Sequence, residues 1–227
     1  MTRITEHLDA VVSRVANAAA VANRDPDSIE ILAVSKRHSV NSINAVAALG
    51  QRSFGENYVD EGVQKIETIA NSALDWHFIG AIQSNKTRLI AAHFDWVHTL
   101  DRRKIAQRLS DQRDDHRPPL NVCIQVNVDS EPQKAGVAVD DVASLAEAIS
   151  ALPNLKLRGL MCLPRAREGV EAQRQPFAKL ASIYASLRSN FPAMDTLSMG
   201  MSADLEAAIL EGATIVRIGT AIFGPRS

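Results

Sequence analysis

Eight short apolar runs alternate with helical patterns along this chain, and that alternation limits its fold more than any other feature. The strand candidates fall at 31–35, about 52–55, 76–80, 96–99, 121–128, 156–162, 196–199 and 214–219. Between them, apolar residues recur at helical spacing over roughly 41–50, 58–70, 85–92, 102–112, 140–150, 172–189 and 203–211. A helical crossover between two strands imposes parallel pairing, and eight such units are the number that closes a barrel. Ile31–Val34 and Val122–Val128 are largely apolar, as strands covered on both faces should be. An open doubly wound sheet is the competing arrangement. Polar motifs at many different strand ends favour the barrel. The expected fold is therefore α/β, a single (β/α)8 TIM-type barrel domain spanning 1–227. Residues 1–24 add an N-terminal helix packed on that barrel, with Ile4, Leu8, Val11, Val12 and Val15 as its apolar stripe.

Length and composition agree with one enzyme-sized core. The 227 residues are too few for two typical enzyme domains, and 46% hydrophobic with 22% charged residues is ordinary for a globular protein. A formal charge of −1 argues against a dedicated nucleic-acid binder. Arg3, Glu6, His7, Asp9 and Arg14 interrupt any apolar targeting segment, and no run is long enough to span a membrane. Cys123 and Cys162 sit inside apolar strands and read as buried thiols in a reduced cytoplasm. His93 and His98 lack a carboxylate or thiol at ligand spacing, so no metal site is expected. The stretches Asp114–Pro119, Asp129–Asp140 and Pro164–Glu171 read as loops.

Lys36 leaves the first apolar strand at the barrel end where active sites form. A lysine there can simply snorkel into solvent beside Arg37 and His38. Alternatively, burial and nearby cations keep its amine near neutrality, as condensation with an aldehyde requires. In Phe54-Gly55-Glu56-Asn57-Tyr58, Gly55 fits a tight strand exit and Asn57 a helix N-cap whose amide also faces the barrel mouth. His77, in Trp76-His77-Phe78-Ile79-Gly80, is a site-lining candidate or a satisfied core histidine. At the chain's end, Ser198-Met199-Gly200-Met201-Ser202 runs into a helix starting near Ser202 or Ala203, and Arg217-Ile218-Gly219-Thr220 closes the last strand. Loops after the last two strands of such barrels often hold a phosphate. Gly219 allows close backbone approach there, and Ser202 and Thr220 offer hydroxyls. Asp204 and Glu206 place negative charge in the same helix and oppose an anion. Arg217 shares the face of Gly219, where a guanidinium donating to a pyridine nitrogen would leave that nitrogen unprotonated and the ring a poor electron sink. An ion pair is the plainer role for such an arginine. Together these residues read as a pyridoxal 5'-phosphate site comprising Lys36, Asn57, His77, Ser198, Met199, Ser202, Arg217, Gly219 and Thr220.

These motifs, with Ala33-Val34-Ser35-Lys36, Gln83-Ser84-Asn85-Lys86, Arg158-Gly159-Leu160-Met161 and Val216–Gly224, occur in order across nearly the whole chain. In that ordered set the chain resembles the bacterial pyridoxal-phosphate homeostasis protein family. The resemblance implies a barrel like the N-terminal domain of alanine racemase and Lys36 as the Schiff-base lysine. It also implies phosphate contacts from Ser202, Gly219 and Thr220, with Arg217 near the ring nitrogen. It further implies a carrier or regulator of vitamin B6 and amino-acid metabolism, without an established turnover reaction. Apo enzymes needing the cofactor are the expected acceptors, and a monomer is the expected state. Arg37-His38 replaces the Thr-Lys more common after the lysine in this family.

A racemase on the same barrel is the alternative. It needs two bases flanking the substrate α-carbon. Lys36 supplies one. The two tyrosines are Tyr58, in an early helix, and Tyr184, in a helical pattern that faces packing.

Overall fold

A computed structural model describes residues 2–131 and 133–225. Helix α1 (Thr2–Val21) precedes a regular alternation: β1 (Glu30–Val34), α2 (Val40–Ala48), β2 (Ser53–Glu56), α3 (Val59–Ile69), β3 (Asp75–Phe78) and α4 (Thr87–His93). It continues with β4 (Trp96–Leu100), α5 (Arg103–Gln112), β5 (Leu120–Gln125), α6 (Val142–Ser150), β6 (Leu155–Met161) and α7 (Val170–Arg188). The last units are β7 (Thr196–Met201), α8 (Leu205–Leu210), β8 (Ile215–Ile218) and α9 (Thr220–Phe223). All strands pair in parallel, and β8 returns to β1, with Leu32 opposite Arg217. That closure rules out the open sheet.

Strand alternation sorts side chains into two environments. Outward residues such as Phe54, Phe78, Val122 and Met199 join the helices in the main hydrophobic core. Inward residues fill the barrel: Leu32, Val34, Ile79 and Ile215 form one cluster, and Trp96, Cys123 and Met161 another. Cys123 and Cys162 are both buried and free.

Several boundaries moved. Strand β5 ends at Gln125, and the chain then runs through a loop whose Asn127 amide donates to the Glu131 carbonyl. Helix α8 begins at Leu205, because Ser202–Asp204 form a turn closed by Asp204 N–H donating to Met201 O. The short α9 was not expected from the sequence. In α1 the buried seam is Leu8, Val11, Val15, Ala18 and Ala19, whereas Val12, at the stripe's edge, is 49% exposed. This seam packs on α8 and α9, and Arg14 clamps α8 through hydrogen bonds to Glu206 of 2.8 and 2.9 Å.

Candidate functional site

Lys36 follows β1 on the inward face it shares with Leu32 and Val34, at the C-terminal mouth of the barrel. Its turn needs support, because Arg37 adopts φ 62°, in the left-handed region that non-glycine residues rarely occupy. A buried cluster behind β1 provides it. Lys65 Nζ donates to the Ser35 carbonyl at 2.8 Å and to Glu56 and Glu61 carboxylate oxygens at 2.7 Å each. Ser35 Oγ donates to Glu56 at 2.6 Å, and Arg37 N–H donates to Glu61 at 2.5 Å. Burial pushes the Glu56 carboxyl up, against the opposing pull of Lys65 and Ser35.

Lys36 opens into a cavity of about 310 Å³. Val34, Ile79 and Met161 give it apolar walls, and Leu163 and Met201 stand at its exposed rim. Its polar lining comes from four different strand ends: Lys36 and His38 after β1, Asn57 after β2, Ser202 after β7, and Arg217, Gly219 and Thr220 on and after β8. Apolar walls with a few converging polar groups are what a small aromatic ligand requires.

The structure thus gathers Lys36, Asn57, Ser202, Arg217, Gly219 and Thr220 on one cavity. Asn57 is not the cap of α3: Tyr58 holds that position without a side-chain bond, and Asn57 Oδ1 is buried with no partner. Gly80 fixes the Asn57 backbone, since a Cβ there would lie 1.9 Å from the Asn57 carbonyl oxygen. Gly55 lies within β2 and faces the barrel interior beside Ile79, rather than shaping the strand exit.

His77, Ser198 and Met199 do not line the cavity. Met199 points outward into the helix shell, opposite in face to Ser198. Ser198 and His77 lie inside the barrel in one hydrogen-bonded series: Arg217 to Ser198 Oγ at 2.7 Å, Ser198 to His98 at 2.8 Å, and His98 to His77 at 2.9 Å. Burial pushes the His77 imidazole down to about 3. His98 is lowered by burial first, then by His77 and Arg217. Arg217 also donates to the Cys162 carbonyl at 2.9 Å, and no carboxylate pairs with it among the described residues.

Glu206 is turned away onto Arg14, whose guanidinium also bonds the Ser202 carbonyl at 3.0 Å. Asp204 accepts from Met201 N–H at 2.6 Å, and burial raises its carboxyl above the usual range. Neither acid lines the cavity.

Three features at or behind the cavity are not legible in the sequence. His38 lines the cavity and stacks on Phe223 at 4.7 Å. His98 reads from the sequence only as a metal-ligand candidate, and the structure places it inside the barrel between Ser198 and His77. The Glu61–Lys65 spacing reads as a surface ion pair, and only the tertiary fold shows that Lys65 is buried.

Pyridoxal phosphate can be tested against these groups. The Asn57 side-chain carbonyl without a donor, a buried cation with no carboxylate in ion-pair contact, two hydroxyls and a lysine around apolar walls match a ring bearing an aldehyde and a phosphate. Among the described residues no group of three side chains is placed to hold a metal ion, and no helix is long and apolar enough to cross a membrane.

Comparison with known proteins agrees with this architecture. Residues 7–227 match the family described as alanine racemase, N-terminal domain. A pyridoxal phosphate homeostasis protein of Pseudomonas aeruginosa is 53% identical over 226 residues, covering 100% of this chain and 97% of that one. A solved structure of PipY from Synechococcus elongatus, with PLP bound, superposes with TM-score 0.80 at 34% identity, covering 92% of this chain and 100% of PipY. Alanine racemase of Corynebacterium glutamicum, 15% identical with TM-score 0.65, covers 95% of this chain with 60% of its own length and shows the shared fold alone. A barrel with its polar groups gathered at one mouth, matched over full length by relatives of one kind, places this chain in the alanine racemase N-terminal domain family, among the pyridoxal phosphate homeostasis proteins.

Proposed function

We propose that this chain binds pyridoxal 5'-phosphate as a Schiff base on Lys36 and buffers or delivers it, serving vitamin B6 homeostasis without strong catalytic turnover. The observation that carries the proposal is the convergence of Lys36, Asn57, Arg217, Ser202, Gly219 and Thr220 on one cavity at the barrel mouth. When bound, the cofactor supplies an aldehyde that amines capture reversibly. Lys36 is the covalent anchor, and the Ser202 and Thr220 hydroxyls donate to the phosphate. Arg217 donates to the ring nitrogen but cannot give up its proton, so the ring stays a weak electron sink. Leu163 and Met201, 38% and 40% exposed, leave the mouth open to water and to other proteins, which suits release to apo enzymes better than carbanion chemistry. We place the protein in the cytoplasm as a monomer.

The racemase alternative is weakened, because neither tyrosine lines the cavity. Tyr58 lies on the outer surface, its hydroxyl accepting from Arg37 at 3.2 Å, and Tyr184 donates to the Met194 carbonyl at 2.9 Å. Absorption spectra before and after borohydride reduction, with peptide mass spectrometry, test the proposal. A reducible visible band and pyridoxyl mass on Lys36, both lost in Lys36→Ala, are expected. A colourless protein that takes up no added cofactor would overturn it.

A further inference from the structure

The interior of the barrel beneath the cavity carries a hydrogen-bonded series whose direction follows from donor chemistry alone. A guanidinium only donates, so Ser198 Oγ accepts from Arg217. The series then continues through His98 to His77, whose Nε2 is buried without a partner and lies 3.9 Å from a Glu30 carboxylate oxygen. Two polarities satisfy these distances. In one, Ser198 donates to His98 Nδ1, His98 Nε2–H donates to His77 Nδ1, and the His77 Nε2–H faces the Glu30 carboxylate. In the other, every proton is reversed: Ser198 accepts twice, its own proton lacks an acceptor, and a bare His77 lone pair faces a carboxylate. The first polarity uses each proton and ends with a donor opposite a negative group. It is therefore the stable one.

Both imidazoles are neutral in either case, since burial holds them far below the ordinary histidine range. Their acceptor ends then all point towards Arg217. The buried guanidinium meets aligned dipoles and the Cys162 carbonyl rather than a carboxylate in ion-pair contact, with Asp204 acting on it only at longer range. No contact pair therefore cancels its charge before it reaches the cavity.

We propose that Ser198 and His98 are positioning residues that fix the guanidinium of Arg217 at the cavity floor and preserve its charge for the ligand. This rests on the reading above that Arg217 meets the ring nitrogen of pyridoxal phosphate. Neither residue touches the cavity; both act through Arg217. Two roles at the mouth are thereby separated: Lys36 captures, while the hydrogen-bonded series through the barrel sets the electronic environment of what is captured.

The test compares Ser198→Ala, His98→Phe, His98→Gln and Arg217→Ala, all titrated with pyridoxal phosphate and followed by visible absorption. Thermal unfolding reports on the fold. Ser198→Ala and His98→Phe should shift the absorption band and weaken binding roughly 10-fold or more, the loss expected for a hydrogen bond to a charged group. His98→Gln, whose amide can accept and donate, should recover much of both. Wild-type spectra and affinity in folded Ser198→Ala and His98→Phe, alongside a shift in Arg217→Ala, would overturn the positioning role alone. No change in Arg217→Ala would instead overturn the placement of Arg217 at the ring. Imidazole 15N NMR of the cofactor-free protein gives an answer independent of variant folding. His98 must be protonated at Nε2 and bare at Nδ1, and the reverse tautomer overturns the proposal.

Discussion

The Lys65 ammonium donates to the carbonyl oxygen of Ser35 at 2.8 Å, holding the peptide unit that leads into Lys36. Lys65 is buried, and Glu56, its partner at 2.7 Å, is fully so. Lys65→Met should therefore destabilise the protein by about 3–5 kcal/mol, the usual cost of removing one partner of a buried pair. It should also slow cofactor capture, because the left-handed turn at Arg37 loses the groups that hold it. Urea denaturation and stopped-flow absorbance measure both, and Lys65→Met/Glu56→Gln should regain part of the stability. A loss below about 1 kcal/mol with unchanged capture would show that the turn stands without this cluster.

The cavity hydroxyls predict a selectivity for the phosphate. Ser202→Ala and Thr220→Val should each weaken pyridoxal phosphate binding roughly 10-fold or more, as losing a hydrogen bond to a charged group does. Binding of unphosphorylated pyridoxal should barely change. Equal losses for both ligands in fluorescence titrations would remove these hydroxyls from the phosphate site.

Gly200, the penultimate residue of β7, has φ 91°, and a Cβ there would lie 2.5 Å from Ala208 Cβ. Gly200→Ala should cost about 2 kcal/mol or more, from backbone strain together with overpacking. Differential scanning calorimetry should show a lowered Tm. An unchanged Tm would mean that α8 shifts without penalty.

Acid should destabilise the fold through its interior imidazoles. His77 stays neutral in the native state down to about 3, whereas in the unfolded chain it takes a proton near 6.5. The unfolded state therefore binds more protons between these values, and stability falls as pH drops through them, by roughly 1.4 kcal/mol per unit. His98 adds to this in the same direction. Glu30, facing His77 from β1, and Glu56 have carboxyls raised by burial, and they oppose the trend at lower pH. Urea midpoints from pH 7 to pH 5 should decline, and less steeply in His77→Phe. A flat profile in the wild type would contradict neutral burial.

The sequence alone determined the alternating elements, the parallel sheet and the identity of Lys36, Arg217, Gly219 and Thr220 as mouth residues, because strand period and turn chemistry are local. Tertiary structure decided everything that depends on which strand lies beside which. Barrel closure brought Ser198 of β7 against His98 of β4 and turned Met199 outward, and neither follows from the spacing of a single segment. It also buried Lys65, which its own helix presents as one half of an ordinary surface pair with Glu61. Asn57 became a cavity-lining group rather than a cap because Gly80 of a neighbouring strand end lets two backbones meet. Periodicity fixes the face of a residue within its own element. Its chemical environment is fixed by partners distant in sequence, and only the closed barrel brings those into place.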